Sequence, residues 1–385
     1  MDVKQIYTLT NDAVAEATGD SALLKEDLSN LVDVGTSLFN ANAVDSYVKA
    51  LVNRIGKVFF TDRSYKGNLV SIMMDAWEYG SVLQRIRVEI PQAQENESWN
   101  LVNGQSYDNQ IFYQPNVDAT FYNKKETYEI PVSITELQVK QSFASADELR
   151  AFIAMIYTSV DNGLTIRNDE MARRAINNMI ATTIEDDIGG SLGTSGVRAI
   201  NLLKLYNDQF SESLAAADCL YDANFIRYAS YIIGLHSDRL TTPSKLFNIA
   251  GKVRFTPKED QKIVYLADFA RAAGVYLYDG VGQFKEEKIK LPMGETVPYW
   301  QGTGTGYDFS DITDVKVTTA DGDDVEVTGI LGCIFDKYAV ALANLNKRTT
   351  TFYNPKAEFF NNYYKCDASY LNDKAENFIV FFAHA

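Results

Sequence analysis

Few residues in this 385-residue chain have the types and spacing that catalysis requires. Histidine, the usual acid–base group near neutral pH, occurs only at His236 and His384, and neither has cysteine neighbours at a zinc-ligand spacing. His236 falls on the apolar face of a predicted helix, which favours a structural imidazole. The glycine-rich segments 189–195 and 302–306 lack the phosphate-loop lysine and the GxGxxG spacing after a strand, so both are predicted to be loops.

Two groups of carboxylates are the remaining candidates for a chemical site. Asp321, Asp323 and Asp324 surround Gly322, but the register is not that of a calcium loop, and Asp-Gly is typical of a tight turn. The acidic run 185–187 is better explained as a solvated helix end. The sequence therefore predicts no enzyme, no cofactor and no metal site.

Composition excludes several classes of function. With 36 basic and 51 acidic side chains the net charge is -15, and no cluster of five or more lysines and arginines occurs, so a dedicated nucleic-acid surface is not expected. Cys219, Cys333 and Cys366 are odd in number and far apart, which indicates reduced, buried thiols. The apolar runs are too short to span a membrane and no secretion signal is visible, so we expect a protein with no membrane partner.

Two alternating segments are the elements most relevant to function. Val82, Ile86, Val88 and Ile90 fall on even positions, and the alternation returns over 128–134, which predicts two half-buried strands. Pro91 and Pro131 place both at sheet edges. We expect these strands to pair as a ribbon that carries the connection 92–127 away from the body.

That connection is rich in aromatic residues and poor in candidate core. A two-stranded ribbon cannot bury such rings alone, so they are predicted to contact a neighbouring subunit. The predicted inter-subunit residues are Trp99, Tyr107, Phe112, Tyr113, Phe121 and Tyr122 in the connection, with Arg85 and Arg87 at the ribbon base. Solvated strand charges are an equally good interpretation of the two arginines.

The flanking segments predict an α+β fold. Leu24 to Val32, ended by Gly35, and 44–59, capped by Asn42, indicate two helices of a surface arm with little reason to pack together. A long helix is predicted over 147–184, opened by a Ser145 and Glu148 capping box.

Whether this helix bends or divides at Gly163 stays open. Beyond it, the patterns predict a helix around 225–233, strands at 245–249 and 263–266, a helix at 267–273, and a hairpin pairing Val315 and Val317 with Val325 and Val327. Further strands follow between 330 and 382.

The C-terminal block from Ile334 carries a family resemblance. Phe335-Asp336-Lys337, Asn354-Pro355 and Asn362-Tyr363-Tyr364, with the segment 53–57, make it similar to tailed-phage major capsid (major head) proteins of the HK97-type fold. It looks most like those of small short-tailed phages of Gram-positive hosts. The resemblance implies an N-terminal helical arm (1–65), an extended loop (66–140), a peripheral domain (141–194 with 341–385) and an axial domain (195–340).

The same resemblance implies the function and the partners. The chain would self-assemble as hexamers and pentamers into an icosahedral head that encloses double-stranded DNA without specific binding. Expected partners are further copies of the chain, a scaffolding protein, a portal and a decoration protein, with assembly in the bacterial host cytoplasm and residence in the virion. An encapsulin-like compartment shell and a tail component are the alternatives.

Overall fold

The computed structural model describes most of the chain beyond the N-terminal region. The described residues are 3–19, 24–40, 43, 46–47, 50, 69, 72–74, 83–91, 93–107, 110–122, 126–137, 146–277, 291–301, 308–318 and 324–385. The helices among them are Val3–Thr18, Leu31–Asn40, Ala146–Ile188, Leu202–Phe210, Ala223–Arg239, Ala267–Tyr276 and Phe309–Thr313. The strands are β1 (Met73–Met74), β2 (Leu83–Val88), β3 (Val117–Tyr122), β4 (Glu126–Thr135), β5 (Ala199–Asn201), β6 (Gln261–Leu266), β7 (Glu295–Val297), β8 (Val315–Thr318), β9 (Asp324–Val327), β10 (Ile330–Asp336), β11 (Val340–Asn354), β12 (Phe359–Asn372) and β13 (Phe378–Phe382).

The helix Ala146–Ile188, here called the spine helix, is continuous over 43 residues, about 64 Å at 1.5 Å per residue. The prediction of one long helix is confirmed, and the helix does not divide at Gly163. A Cβ at that glycine would lie 3.0 Å from Cδ1 of Ile130 in β4, so the glycine permits close packing of helix and strand. Ser145 and the Glu148 side chain lie outside the described part, so the capping box stays a prediction.

The two halves of the spine helix contribute to two different hydrophobic cores. Its first half buries Ile156, Val160 and Leu164 against the N-terminal helices and the sheet containing β4 and β12. Its second half, from Met171 to Ile184, packs against the sheet that holds the C-terminal strand. The helix therefore links both cores, and its apolar positions follow helical spacing in each half.

The N-terminal region differs from its prediction. Residues 24–30 form turns, Leu28 has a positive φ of 58°, and the helix begins at Leu31 and contains Gly35. The apolar stripe of Leu24, Leu28 and Leu31 is buried nevertheless, packed with Ile6 of a first helix that the prediction missed. Tyr47 and Ala50 of the second predicted helix are buried in the same cluster, so the expectation that the two predicted helices have little reason to pack together is wrong. The predicted helix over 44–59 and its cap fall mostly outside the described residues.

The first sheet has the order β1-β11-β12-β4, in which β1 runs parallel to β11 and the other pairs are antiparallel. Pro131 of β4 lies opposite Tyr363 of β12. Among the described residues, β4 is the last strand of this sheet. The predicted edge position of this proline is confirmed, because an edge strand can do without one ladder donor.

The predicted pairing of the ribbon is wrong. β2 pairs antiparallel with β3, from Leu83 opposite Tyr122 to Val88 opposite Val117, and the segment 128–134 belongs to the first sheet as part of β4. The sequence did not predict β3, because this strand does not have the pattern of a core strand. Its apolar residues Val117 and Phe121 lie on an exposed face.

The second sheet has the order β5-β13-β10-β6-β7. β13 lies between β5, with which it is parallel, and β10, with which it is antiparallel. Both β10 and β13 are buried along their whole length, as is typical of central strands covered on both faces. The C-terminal segment 341–385 is thus shared between two sheets.

Predictions for the remaining segments are mostly confirmed. The helix at 225–233, the strand at 263–266, the helix at 267–273 and the β8–β9 register all occur as expected. The strand predicted at 245–249 is wrong, because that segment forms turns beside an isolated bridge between Ser244 and Arg254. The tip of the β8–β9 hairpin and the glycines between 302 and 306 lie outside the described residues.

Two glycines with positive φ offer a test of the packing at the C-terminus. Gly329 has a φ of 80°, and a Cβ there would overlap the Ala383 carbonyl, whereas Gly251 has a φ of 63° and open space around it. We expect Gly329→Ala to lower the free energy of unfolding by about 3 kcal/mol and Gly251→Ala by about 1 kcal/mol. Urea unfolding of the unassembled subunit measures both. Equal losses would show that the close approach to Ala383 contributes nothing.

Candidate functional site

The segment between β2 and β3 presents its rings to solvent. Trp99 is 94% exposed, Phe112 83%, Tyr113 74% and Phe121 63%. The exposed large apolar residues of the same ribbon and loop are Ile86, Val88, Ile90, Leu101, Val102, Tyr107, Ile111 and Val117. Of the six predicted aromatic contact residues only Tyr122 is half-buried, and burial raises the pKa of its phenol.

This loop has a defined local shape although it buries little. The Tyr107 hydroxyl accepts a hydrogen bond from the Val102 amide at 2.9 Å, and the Asn96 side chain accepts one from the Ser98 amide at 2.8 Å. A short 3-10 turn covers Glu97–Trp99. Because the backbone is held by local bonds, the rings are presented on a preformed surface, and burying each of them on a partner would contribute about 1.5–3 kcal/mol.

The base of the ribbon is attached to the body by buried charges. Arg85 donates to an Asp373 carboxylate oxygen at 2.8 Å and to the Tyr338 carbonyl at 2.7 Å. Arg87 forms ion pairs with Asp373 and with Glu376, the latter at 2.8 Å. Asp373 and Glu376 belong to the turn between β12 and β13, so the ribbon is anchored where the two sheets meet.

This anchoring reverses the predicted orientation of β2. The alternation of the strand is as predicted, but Ile86 and Val88 are exposed while Arg85 and Arg87 face the body. The arginine side chains point toward the body because they form ion pairs there with Asp373 and Glu376. Their predicted role between subunits stays a prediction.

A further ion pair extends the anchor. Lys252 pairs with Glu89 at 2.7 Å, and Asn116, across the ribbon, donates to the other oxygen of Glu89 at 2.6 Å. Hydrogen bonding to Lys252 and then to Asn116 lowers the pKa of the Glu89 carboxyl. Lys252 thereby ties the end of β2 to the body, and Asn116 ties the two sides of the ribbon to each other.

The residues first considered for catalysis have structural roles. His236 is buried with Nδ1 2.9 Å from the Ile232 carbonyl oxygen, and burial lowers the pKa of its imidazole. Arg198 pairs with Asp186 at 2.6 Å and with Asp187 at 3.3 Å, so these carboxylates are engaged with a cation. His384 exchanges backbone hydrogen bonds with the Asn201 side chain.

Cys219, Cys333 and Cys366 are free and buried, as predicted, and burial raises the pKa of each thiol. Within the described ranges no cluster of three or more metal-ligating side chains occurs. No helix in the same part of the chain is long and apolar enough to cross a membrane.

A spine helix across two cores, a ribbon with an exposed loop and a five-stranded sheet that receives the C-terminal strand make up the HK97-type capsid fold. The fold matches the capsid of Staphylococcus phage Andhra with a TM-score of 0.50 and 8% identity, over 83% of this chain and 85% of that chain. The capsid of cyanophage P-SCSP1u matches at a TM-score of 0.42 and 12% identity, over 82% and 87% of the two chains.

The chain belongs to the Phi29-like phage major capsid protein family, whose sequence model matches residues 8–382. The comparison with curated proteins found no match. The resemblance noted in the C-terminal block is confirmed. The protein is a major capsid protein of a phage head shell, a structural component of the virion that associates with itself and is not an enzyme.

Proposed function

We propose that this capsid protein assembles as hexamers and pentamers into an icosahedral head that encloses double-stranded DNA. The observation that carries the proposal is the projecting loop, which holds a defined shape while Trp99, Phe112 and Tyr113 stay exposed. Exposed rings of this kind require a partner that buries them. A loop that contacts a different patch of the next copy makes a head-to-tail contact, and such contacts close into rings.

The parts of the subunit are assigned accordingly. The extended loop consists of β2, β3 and the segment between them, which is narrower than the range 66–140 expected from the sequence. The spine helix with β4, β11 and β12 forms the peripheral domain. Residues 195–340 together with β13 form the axial domain, because the C-terminal strand is part of that sheet. Residues 1–65 supply the N-terminal helical arm.

Shell formation of this kind relies on many modest contacts. Each subunit has several neighbours that are already held in place, so the contacts reinforce one another through high effective concentration. The net charge of -15 supports enclosure of DNA without attachment, since a wall without strong basic patches releases few counterions from the phosphates. We further propose a separate scaffolding protein, a portal, a decoration protein, and assembly in the bacterial host cytoplasm.

Electron microscopy of the expressed protein, alone and with the candidate scaffolding protein of the same phage, tests the proposal. Closed shells of uniform size with six-fold and five-fold capsomers are expected. Rings or tubes without closed shells would contradict the head assignment and favour a tail component. Shells that co-purify with an enzyme in place of DNA would instead indicate a protein compartment.

A further inference from the structure

The chain contains two asparagine-glycine pairs, and the fold holds them in opposite ways. Asn103-Gly104 lies in the loop between β2 and β3, and Asn162-Gly163 lies in the spine helix. Both asparagines are exposed to solvent. The two pairs therefore share a dipeptide sequence and access to water, and they differ in the backbone structure that contains them.

An asparagine followed by glycine is prone to react with its own backbone. The glycine nitrogen can attack Cγ of the asparagine side chain, and glycine has no Cβ that would hinder this approach. The attack requires rotation about the Cα–C bond of the asparagine. It also requires a glycine N–H that no acceptor holds. The local backbone structure decides whether both conditions are met.

The backbone around Asn103-Gly104 meets both conditions. The pair forms the centre of a β-turn closed by one hydrogen bond, which the Gln105 amide donates to the Val102 carbonyl at 3.2 Å. Gly104 has a φ of 88°, and a Cβ there would meet no atom within 4 Å beyond its chain neighbours. Within the described residues, neither the Gly104 amide nor the Asn103 carboxamide makes a hydrogen bond. Opening this turn breaks a single long hydrogen bond.

The backbone around Asn162-Gly163 meets neither condition. The pair lies inside the 43-residue spine helix, where each N–H donates to the carbonyl four residues earlier. A Cβ at Gly163 would lie 3.0 Å from Cδ1 of Ile130, so the helix is packed closely against β4 at this point. Rotation at Asn162 would break the helical hydrogen bonds and this packing together, and the fold therefore protects the pair.

We propose that Asn103 is a self-modification site, where the chain converts the carboxamide to a carboxylate with water as the co-reactant. The Gly104 nitrogen forms a bond to Cγ of Asn103, and the bond between Cγ and Nδ2 breaks. The leaving nitrogen takes the proton of the Gly104 amide and departs as ammonia. Water then opens the five-membered succinimide at one of its two carbonyls, which gives aspartate or isoaspartate.

The product differs from asparagine in charge and in shape. Residues 90–116 contain Glu95, Glu97 and Asp108 and no lysine or arginine, so a further carboxylate adds to a negative charge that this segment does not balance. Isoaspartate also inserts a methylene group into the backbone of the turn. The neighbouring Val102 amide donates to the Tyr107 hydroxyl at 2.9 Å, and this bond helps to fix the shape of the loop. Modified subunits therefore present an altered loop.

The modification limits how long a free subunit stays competent to assemble. This consequence rests on the proposed function, in which the loop is the arm between subunits. A reacted subunit carries a loop of changed shape and joins a shell less readily. A subunit that has already joined is protected, because a loop held on a neighbour cannot open its turn as freely.

Peptide mass spectrometry of the unassembled subunit tests the site itself. During incubation in mildly alkaline water enriched in heavy oxygen, each converted asparagine takes up one labelled oxygen. The native chain is expected to convert Asn103 at least about tenfold faster than Asn162. In urea, where both backbones are free to rotate, the two rates should agree within about twofold. Equal rates in the native chain, or an unlabelled Asn103, would overturn the proposal.

The dependence on pH is a second signature of the reaction. Because the attacking Gly104 nitrogen must lose its proton, the rate at Asn103 should rise from neutral to alkaline pH. Asn103→Gln is the matched variant, since it keeps a neutral carboxamide but would have to form a six-membered ring. Label uptake at this position is expected to fall by at least about tenfold in the variant. Uptake that is unchanged by the variant would contradict attack by the neighbouring nitrogen.

Particle yield after storage tests the consequence for assembly. Stored wild-type subunits are expected to lose yield in proportion to the converted fraction, whereas stored Asn103→Gln subunits should keep the yield of fresh protein. Equal yields from the two stored proteins would overturn the limit on assembly. Failure of both fresh proteins to form shells would count against the proposed function, while the labelled peptides decide the modification site independently.

Discussion

Replacing residues 90–115 with Asn-Gly is expected to give a folded subunit that forms no closed particles. The two-residue turn would join Glu89 to Asn116, which already share a backbone hydrogen bond of 2.9 Å across the ribbon. The described side chains among those removed are exposed, so we expect the Tm to change by less than about 3 °C. Loss of the loop contact from every subunit should lower particle yield by at least about 100-fold. Calorimetry and electron microscopy measure the two effects.

A second pair of variants keeps the loop length unchanged. Trp99→Ala, Phe112→Ala and Tyr113→Ala together should abolish assembly as the deletion does, because the apolar contact area is lost. Ser98→Ala, Ser106→Ala and Gln114→Ala in the same loop form the matched control and should assemble normally. Shells of ordinary size and yield from the loop replacement would refute the assignment of the loop as the inter-subunit arm.

Arg87→Ala is expected to lower the free energy of unfolding by about 2–3 kcal/mol, because it leaves buried Asp373 with Arg85 alone and Glu376 with Arg254 at 3.9 Å. The Arg87 side chain is 9% exposed and that of Asp373 2%. Lys316→Ala removes the exposed pair with Glu326 and should cost at most about 1 kcal/mol. Urea unfolding of the unassembled subunits measures both, and equal costs would show that the ribbon anchor contributes no more than a surface pair.

The loss in Arg87→Ala is expected to depend on pH. Burial, and then the charge of Asp336, raise the pKa of Glu376, while Arg87 opposes that shift. Removing Arg87 therefore raises the pKa further. A carboxyl whose pKa is raised by folding contributes stability below its unfolded pKa, and that stability is lost as pH rises through the folded value. The variant should thus fall furthest below wild type near neutral pH and recover part of the difference on acidification.

The ribbon shows which structural features the local sequence pattern could predict and which it could not. Alternation over 82–90 predicted the strand, but alternation is equally present in 128–134, and nothing local distinguishes the true partner at 117–122. The direction in which Arg85 and Arg87 point depends on Asp373 and Glu376, nearly three hundred residues further along the chain. Such long-range charge pairing has no local signature.

The exposed loop and a groove beside the spine helix differ in the same way. The rings of the loop were predicted to be exposed because no neighbouring apolar positions could bury them, and the prediction holds for Trp99, Phe112 and Tyr113. The groove brings together the spine helix, a hairpin, β12 and the ribbon itself. None of these segments is recognisable as part of one groove until the chain is folded.

By itself, the amino-acid sequence determined what depends on neighbours along the chain: the spine helix, the alternation of the strands, the exposed aromatic loop, and the family resemblance from Ile334 onward. These features follow from backbone periodicity and from the lack of local apolar partners. Only the tertiary structure decided which strands pair, that β13 inserts between β5 and β10, and that Gly163 admits Ile130. The reason is physical, because strand partners and buried charges are selected by contacts between segments tens to hundreds of residues apart, and those contacts exist only in the folded chain.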